Sequence, residues 1–436
     1  MKSMLSGTRT RYPLSFFLLT LVFGVAHAGP HGSEFDLTLT PAAGGMEGVG
    51  IARPQDPVAM LFANPATLSQ LEGNMAFTIG ATYASPDLDA SGGPTDLFGG
   101  TAAEGTFNPQ AALTGPFSDD SSFNDAVAPH AVVIQRFSDR LVAGFGLTGV
   151  SGLGSDWRNA ENVPNLIADL GLFGANMSAA YQMTDKLSLG ATFTLGIASL
   201  QVGLTDSTGT VHEFGFGGSF GATYDAGAVI LGAAYKSELS VTYENVIETA
   251  PDVFSDFELE QPQEIQLGIA TSNAFSANTL VELDFRYKNW DSANGYSSFW
   301  KDQYIFSLGG QHRIGNLFLR AGYSYNTEIA KDSEDLGNSF GEITFVKNPG
   351  FGTGADPTQP PSLPVTPTFL QLAQATIADG HWQQSVSVGL GYNIPNTNIR
   401  LDLNTSYAFD GEAQLGPFHA DGSLITAGMG LTWLIK

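Results

Sequence analysis

From Lys186 to Ala198 the chain alternates strictly. Leu187, Leu189, Ala191, Phe193, Leu195 and Ile197 fall on one side of an extended backbone, and Ser188, Gly190, Thr192, Thr194, Gly196 and Ala198 on the other. A period of two marks a β-strand, whose successive side chains point to opposite faces. Ile399, Leu401, Leu403, Tyr407 and Phe409 alternate with Arg400, Asp402, Asn404, Ser406 and Asp410 in the same way. Helical periodicity hardly appears. Such segments recur near 74–84, 130–137, 141–150, 173–183, 186–204, 212–225, 229–244, 258–272, 277–289, 302–313, 317–327, 382–393, 397–410 and 422–435, about fourteen in all. A soluble sandwich also alternates. The segment lengths favour a membrane barrel, which needs about 9–11 tilted residues per crossing.

The joins give a second, independent pattern. Those after even-numbered segments are short: Ser138-Asp139-Arg140, Thr184-Asp185, Ala226-Gly227-Ala228, Ile314-Gly315-Asn316 and Pro395-Asn396. Those after odd-numbered segments are long: 85–129, 151–172, 245–257, 290–301 and 328–381. Bacterial outer-membrane barrels have tight periplasmic turns and longer external loops, and an even strand number. A soluble sandwich has no reason to alternate its loop lengths. The sequence therefore predicts an all-β fold, a transmembrane antiparallel β-barrel over 74–436 with both ends on the periplasmic side.

Two segments precede the barrel. Lys2, Arg9 and Arg11 lead into an apolar run from Leu14 to Val25 that ends at Ala26-His27-Ala28. A basic start, a short apolar stretch and an A-x-A site predict a cleaved secretory signal peptide over 1–28, and about a dozen apolar residues is too short to span a bilayer. Residues 29–73 then include G-I-A-R-P-Q-D-P-V-A-M-L-F-A-N-P-A-T-L-S-Q-L from Gly50 to Leu71. Pro54, Pro57 and Pro65 forbid a long helix and a central strand. Asn64-Pro65 favours a turn. A compact, turn-rich segment follows.

This run, with M-A-F-T-I-G-A-T-Y-A-S-P-D after it, resembles the start of the FadL/TodX family of outer-membrane transporters of long-chain fatty acids and other hydrophobic compounds. V-A-P-H-A-V-V-I-Q-R-F-S-D-R-L-V-A-G-F-G-L-T-G-V resembles its second and third strands. W-D-S-A-N-G-Y-S-S-F-W-K-D-Q-Y-I-F-S-L-G-G-Q-H-R-I-G-N-L-F-L-R-A-G-Y-S-Y-N over 290–326 resembles its central strands, and G-L-G-Y-N-I-P-N-T-N-I-R with the later S-Y-A-F its penultimate hairpin. The likeness runs from about residue 48 to the end in shared order, the loops excepted. It implies a fourteen-stranded barrel whose N-terminal hatch, 29–73, plugs the lumen, with Asn64, Pro65 and Ala66 in the hatch and Phe62 beside them as gating residues. It also implies passive passage of a hydrophobic molecule at the outer membrane. The chain departs from the family in ending Trp433-Leu434-Ile435-Lys436 rather than on an aromatic residue. The family's pocket residues cannot be carried over, because the loops do not align.

Composition narrows the function classes. Eighteen Lys and Arg stand against 43 Asp and Glu, and the leader removes three of the basic residues, which argues against a nucleic-acid partner. With no cysteine there is no disulfide, thiolate metal site or cysteine nucleophile. His130, His212, His312, His381 and His419 are scattered. No H-E-x-x-H occurs. G-x-S-x-G matches fall at Gly217 to Gly221, in a glycine-rich stretch within strand alternation, and at Gly337 to Gly341, in the loop 328–381. Neither lies at a strand-to-helix turn, so catalysis and a metal site are not expected, nor is any cofactor. Asp119-Asp120 and Asp332 to Asp335 read as solvated loop charge, although carboxylates beside lipopolysaccharide can hold divalent cations. The expected partners are a hydrophobic small molecule, outer-membrane lipid with lipopolysaccharide, and the machinery that assembles barrels.

Two groups carry candidate chemistry. Glu282, Asp284, Arg286 and Lys288 share one strand face, opposite Val281, Leu283, Phe285 and Tyr287. With the apolar face toward lipid, these charges point inward and must be paired. They form either a network that ties hatch to wall or, through Arg286, Arg320 or Arg400, a contact for a substrate carboxylate, which suits an arginine fork. Apolar residues in the external loops, Leu166, Ile167 and Leu170 in a short helix around 163–170 and Phe369 and Leu370 after the Pro-rich tract, either pack a lid or catch substrate. A non-transporting surface barrel, an adhesin or structural protein, is the alternative; it needs no three-proline plug.

Overall fold

Alternation along each strand becomes, across strands, a closed wall. The computed structural model describes residues 40–93, 116–122, 125–161, 166–203, 209–250, 253–298, 300–332, 335–336, 367–376 and 382–435; the predicted signal peptide lies outside them. The strands are β1 (Met75–Gly92), β2 (Phe117–Asp120), β3 (Ala126–Arg136), β4 (Leu141–Asp156), β5 (Ile167–Gln182), β6 (Leu187–Gly203), β7 (Val211–Asp225), β8 (Val229–Lys236), β9 (Leu239–Ala250), β10 (Val253–Gln261), β11 (Glu264–Thr271), β12 (Thr279–Lys288), β13 (Gln303–Ile314), β14 (Leu317–Asn326), β15 (Gln384–Asn393), β16 (Ile399–Leu415) and β17 (Phe418–Ile435). Fourteen of them form a closed antiparallel barrel. The short β2 and the β9–β10 hairpin are additions at the loop end, and β8 pairs directly with β11 across that hairpin. Closure is direct: Met75 of β1 lies opposite Gln135 of β3 on one side and Ile435 of β17 on the other. A closed wall leaves no strand edge with unsatisfied N–H and C=O groups, which is what spanning a bilayer with strands requires.

The wall is inverted relative to a soluble protein. Phe77, Phe145, Met177, Phe193, Leu267, Leu283, Phe306 and Trp433 are exposed on the outside, whereas Thr78, Ser178, Thr192, Gln266, Asp284, Ser307 and Thr432 are buried inside. Inward hydroxyls pair across strands, Thr78 with Thr432 at 3.0 Å and Ser178 with Thr192 at 2.7 Å. An apolar exterior round a polar, satisfied interior is the arrangement lipid selects.

The short turns fall where the sequence places them: 137–140, 183–186, 226–228, 315–316 and 394–398 separate consecutive strands. The loop end differs from expectation. Residues 167–170 do not form the expected helix; they open β5, which pairs with both β4 and β6. Two ladders satisfy every backbone group there, and that outweighs a helix-like spacing of three apolar residues. The strands likewise run into the predicted loops 85–129, 151–172 and 245–257. Toward this end the lumen is apolar. Leu170, Leu239, Val241 and Tyr243 pack with Trp290, Tyr296 and Trp300, whose rings lie 4.7–4.9 Å apart.

Candidate functional site

Residues 40–74 occupy the lumen. Their path follows the inner wall in one rotational sense: Pro41 lies against Gly430 of β17, Gly45 against Gly389 of β15, Met46 against Gly322 of β14, Ile51 against Gly232 of β8, Asn64 against Gly221 of β7 and Ala66 against Gly190 of β6. At Gly322 a Cβ would collide with the backbone of Met46 and Glu47, and at Gly221 with the Asn64 carboxamide. The segment's backbone meets the wall at Gly322 and the Asn64 side chain meets it at Gly221 because neither wall residue carries a side chain.

Polar groups fix this path. On β12, Glu282 Oε1 accepts from Ala52 N at 2.7 Å and Arg53 N at 3.2 Å. Asp284 Oδ2 accepts from Gly50 N at 2.9 Å and Ile51 N at 3.3 Å, and Arg286 Nη2 donates to Gly48 O at 2.5 Å. Three successive inward side chains therefore grip five backbone groups of the segment. On β15, Ser387 Oγ accepts from Glu47 N at 2.9 Å and Ser385 Oγ donates to the Glu47 carboxylate at 2.6 Å. Near the turn end, Arg320 and Arg400 converge on Asp402 at 2.8 and 2.7 Å, and Arg400 also donates to Gln55 O. The forks of Arg286, Arg320 and Arg400 are thus engaged by the protein's own groups.

Asn64 is fully buried. Its Nδ2 donates to Ile51 O at 2.8 Å and to Ala222 O of β7 at 3.1 Å, while its Oδ1 accepts from Ala66 N. The side chain caps the 3-10 turn Pro65–Gln70 and ties the segment to itself and to the wall. Before it lies α1 (Pro57–Phe62), with Pro57 at its first position and Asp56 as its cap. The Asp56 carboxylate accepts from Ala59 N at 2.8 Å and, through its other oxygen, from Ala42 N at 2.8 Å and Ala43 N at 3.3 Å. The sequence reading passed over Asp56, yet an acidic residue followed directly by proline is a helix-start signal.

Two cavities adjoin this segment. The upper one, of about 80 Å³, is walled by Leu61, Phe62, Val150, Leu239 and Trp290 and carries three charged residues, Lys236, Glu264 and Lys288. Glu264 of β11 stands opposite Lys236 of β8 and Lys288 of β12, with its oxygens 3.6 and 3.4 Å from the two ammonium groups. Lys236 Nζ also sits 5.1 Å over the Phe62 ring. Of this trio the sequence reading singled out Lys288 alone; Lys236 and Glu264 become visible only once inward positions are followed along β8 and β11. The lower cavity, of about 490 Å³, lies on the turn side and is lined by Asp56, Pro57, Met60, Glu72, Arg313 and Arg400 among others. Leu166 and Leu170 are buried in the loop-end cores, Ile167 is buried as well, and none of the three lines either cavity. Phe369 and Leu370 fall in α2 (Pro367–Thr376), but their side chains lie outside the described residues.

This arrangement defines a class: an antiparallel membrane barrel with residues of its own N-terminal segment packed inside the lumen. Residues 42–250 match the model of the family described as outer membrane protein transport protein (OMPP1/FadL/TodX). Among solved structures, the P. putida toluene transporter TodX is 18% identical over 92% of this chain and 99% of its own, with a TM-score of 0.62. A Pseudomonas aeruginosa FadL homologue is 16% identical over 91% and 98%, with a TM-score of 0.63, and the Ralstonia pickettii toluene transporter TbuX 18% over 92% and 100%, with a TM-score of 0.60. At these identities the likeness is one of fold. No curated protein sequence matches the chain.

Proposed function

We propose that this protein is a passive outer-membrane channel for hydrophobic molecules, and that it favours those with a carboxylate head, long-chain fatty acids above all. Residues 29–73 act as its hatch, with Asn64, Pro65 and Ala66 fastening one end to the wall. Family and fold support hydrophobic transport in general: structural relatives are named as toluene transporters and as a FadL homologue. The observation that carries the carboxylate preference is the charge of the upper cavity. Two ammonium groups and one carboxylate line it beside an apolar wall. An incoming carboxylate meets one net positive charge in a partly desolvated site, where such a contact is stronger than in water, while its tail replaces water against Phe62, Leu239 and Trp290.

The discriminating experiment is binding of a brominated stearic acid and of the matching brominated alcohol to the full chain in lipid nanodiscs, read by quenching of tryptophan fluorescence, since Trp290 lines the cavity. The acid binds more tightly than the alcohol, and Lys236→Gln, which leaves the Lys288–Glu264 pair in place, lowers affinity for the acid alone. Equal affinities in the unmodified protein would overturn the carboxylate reading and leave uncharged hydrocarbons as cargo.

A further inference from the structure

β1 runs on past the lipid-facing band. Tyr83 is its last outward aromatic residue, and Asp89 stands six positions further on, about 20 Å at 3.3 Å per residue. β3 pairs with β1 only as far as Ala84, opposite Ala126. Above that point β2 covers the edge that β3 leaves open: Phe117 to Asp120 lie opposite Gly92 to Asp89, its one ladder among the described residues. On the other side, Ser122 N donates to Asp156 O of β4 at 2.8 Å. β2 is thus a strap across the seam between β1 and β4. Its anchor is Phe117, buried with Trp157, Leu166, Leu372 and Leu415, its ring 6.1 Å from that of Phe418.

The outward face of this ladder is a line of like charge. Asp89 lies opposite Asp120 of β2 on one side and Asp421 of β17 on the other, and Asp421 lies opposite Glu412 of β16. Residues directly opposite on antiparallel strands hold their Cβ atoms about 4.5–5.5 Å apart, and like charges there are destabilising. Four ionised carboxylates in one row push β2 away from the wall. Asp89 and Asp120 instead share a side-chain hydrogen bond, which two carboxyl groups make only when one of them carries a proton. Asp89 is pushed up to about 7, first by that bond, then by partial burial and by the charges of Asp120, Asp421 and Asp87. No Lys or Arg acts on Asp89. The charged groups further out are His419, 3.6 Å from Asp421, and Arg158, past Ser122 and committed to Asp156.

We propose that β2 is a strap locked by acid: a proton shared by Asp89 and Asp120 holds it on β1 with Phe117 in the loop-end core, and loss of that proton releases it and uncovers the core to the outside. A carboxyl held above its ordinary range stabilises the docked strap while it is protonated. That stability is complete below pH 4 and is lost as the pH rises through about 7. Because the row is partly solvated, screening trims the effect, and the docked-to-released ratio falls about tenfold between pH 5 and pH 8. The strap responds to the medium outside the cell and does not depend on which cargo the barrel carries.

The natural chain has no cysteine, so a pair of introduced ones reports cleanly. Ser118→Cys on β2 and Ser423→Cys on β17 both replace outward polar residues. Each carries a nitroxide, and pulsed electron paramagnetic resonance on the full chain in lipid nanodiscs reads their separation, with heat-dependent gel mobility to verify folding. At pH 5 the distances form one short, narrow population; at pH 8 a longer, broad population grows at its expense. Adding Asp89→Asn, which keeps the hydrogen bond and removes the titration, leaves the short population at both pH values. Asp120→Asn does the same and serves if Asp89→Asn does not assemble. Identical distributions at pH 5 and pH 8 in the folded parent pair overturn the proposal. So does a pH response that survives Asp89→Asn but disappears with His419→Gln, which assigns the proton to the histidine.

Discussion

Asp284→Ala tests how firmly the N-terminal segment is held. The carboxylate is 1% exposed, accepts from Gly50 N and Ile51 N, and lies 3.6 Å from the Arg286 guanidinium. Hydrogen bonds to a charged acceptor contribute about 1.5–3 kcal/mol each. Removing one partner of a buried ion pair costs about 3–5 kcal/mol, because the other charge is left uncompensated. Glu282, two positions along the same face, is relieved of a like charge, which offsets part of the loss and sets the expectation near the lower limit, about 3 kcal/mol. At 1.4 kcal/mol per decade, the docking equilibrium of residues 48–53 shifts by about two orders of magnitude. Amide hydrogen exchange read by mass spectrometry on the full chain measures this directly, with heat-dependent gel mobility to verify that the barrel is folded. Exchange at Gly50 and Ile51 accelerates by roughly that factor, whereas Leu283→Ala, on the lipid side of the same strand, leaves it unchanged. A folded Asp284→Ala barrel with unaltered exchange over these residues would refute the argument that β12 holds the segment.

Two other substitutions probe different anchors. Gly221→Val places a branched side chain where the Asn64 carboxamide and Pro65 now lie; the barrel folds, but residues 64–70 lose protection in the same exchange assay, and unchanged protection would show that the close approach is dispensable. Asp402→Ala leaves Arg320 and Arg400 buried without their shared carboxylate and lowers stability by about 3–5 kcal/mol, measured as a lower urea midpoint in lipid vesicles; an unmoved midpoint would contradict the pairing.

The barrel was readable from the sequence because its signals are local. Alternation such as Leu187 to Ala198 needs no knowledge of a partner strand, and tight turns such as Thr184-Asp185 need only the two strands they join. The trio Lys236, Glu264 and Lys288 was not readable. Its members are scattered along the chain and meet through strand register, which depends on the length of each turn and on the β9–β10 excursion between β8 and β11. The misplaced helix at 163–170 has a related origin: Leu166, Ile167 and Leu170 have helix-like spacing, and the ladders on both sides of β5 decide otherwise. In the N-terminal segment, three prolines point to irregular structure, yet Pro57 sits at the one helical position that tolerates it, so a single capped turn survives.

The most direct test of the account is uptake of labelled oleate by cells that lack their own fatty-acid transporter, expressing this protein or carrying an empty vector, with barrel folding confirmed by heat-dependent mobility. The account predicts saturable uptake well above the empty vector, reduced in a folded Lys236→Gln variant. A correctly folded protein that takes up no more oleate than the vector would contradict it.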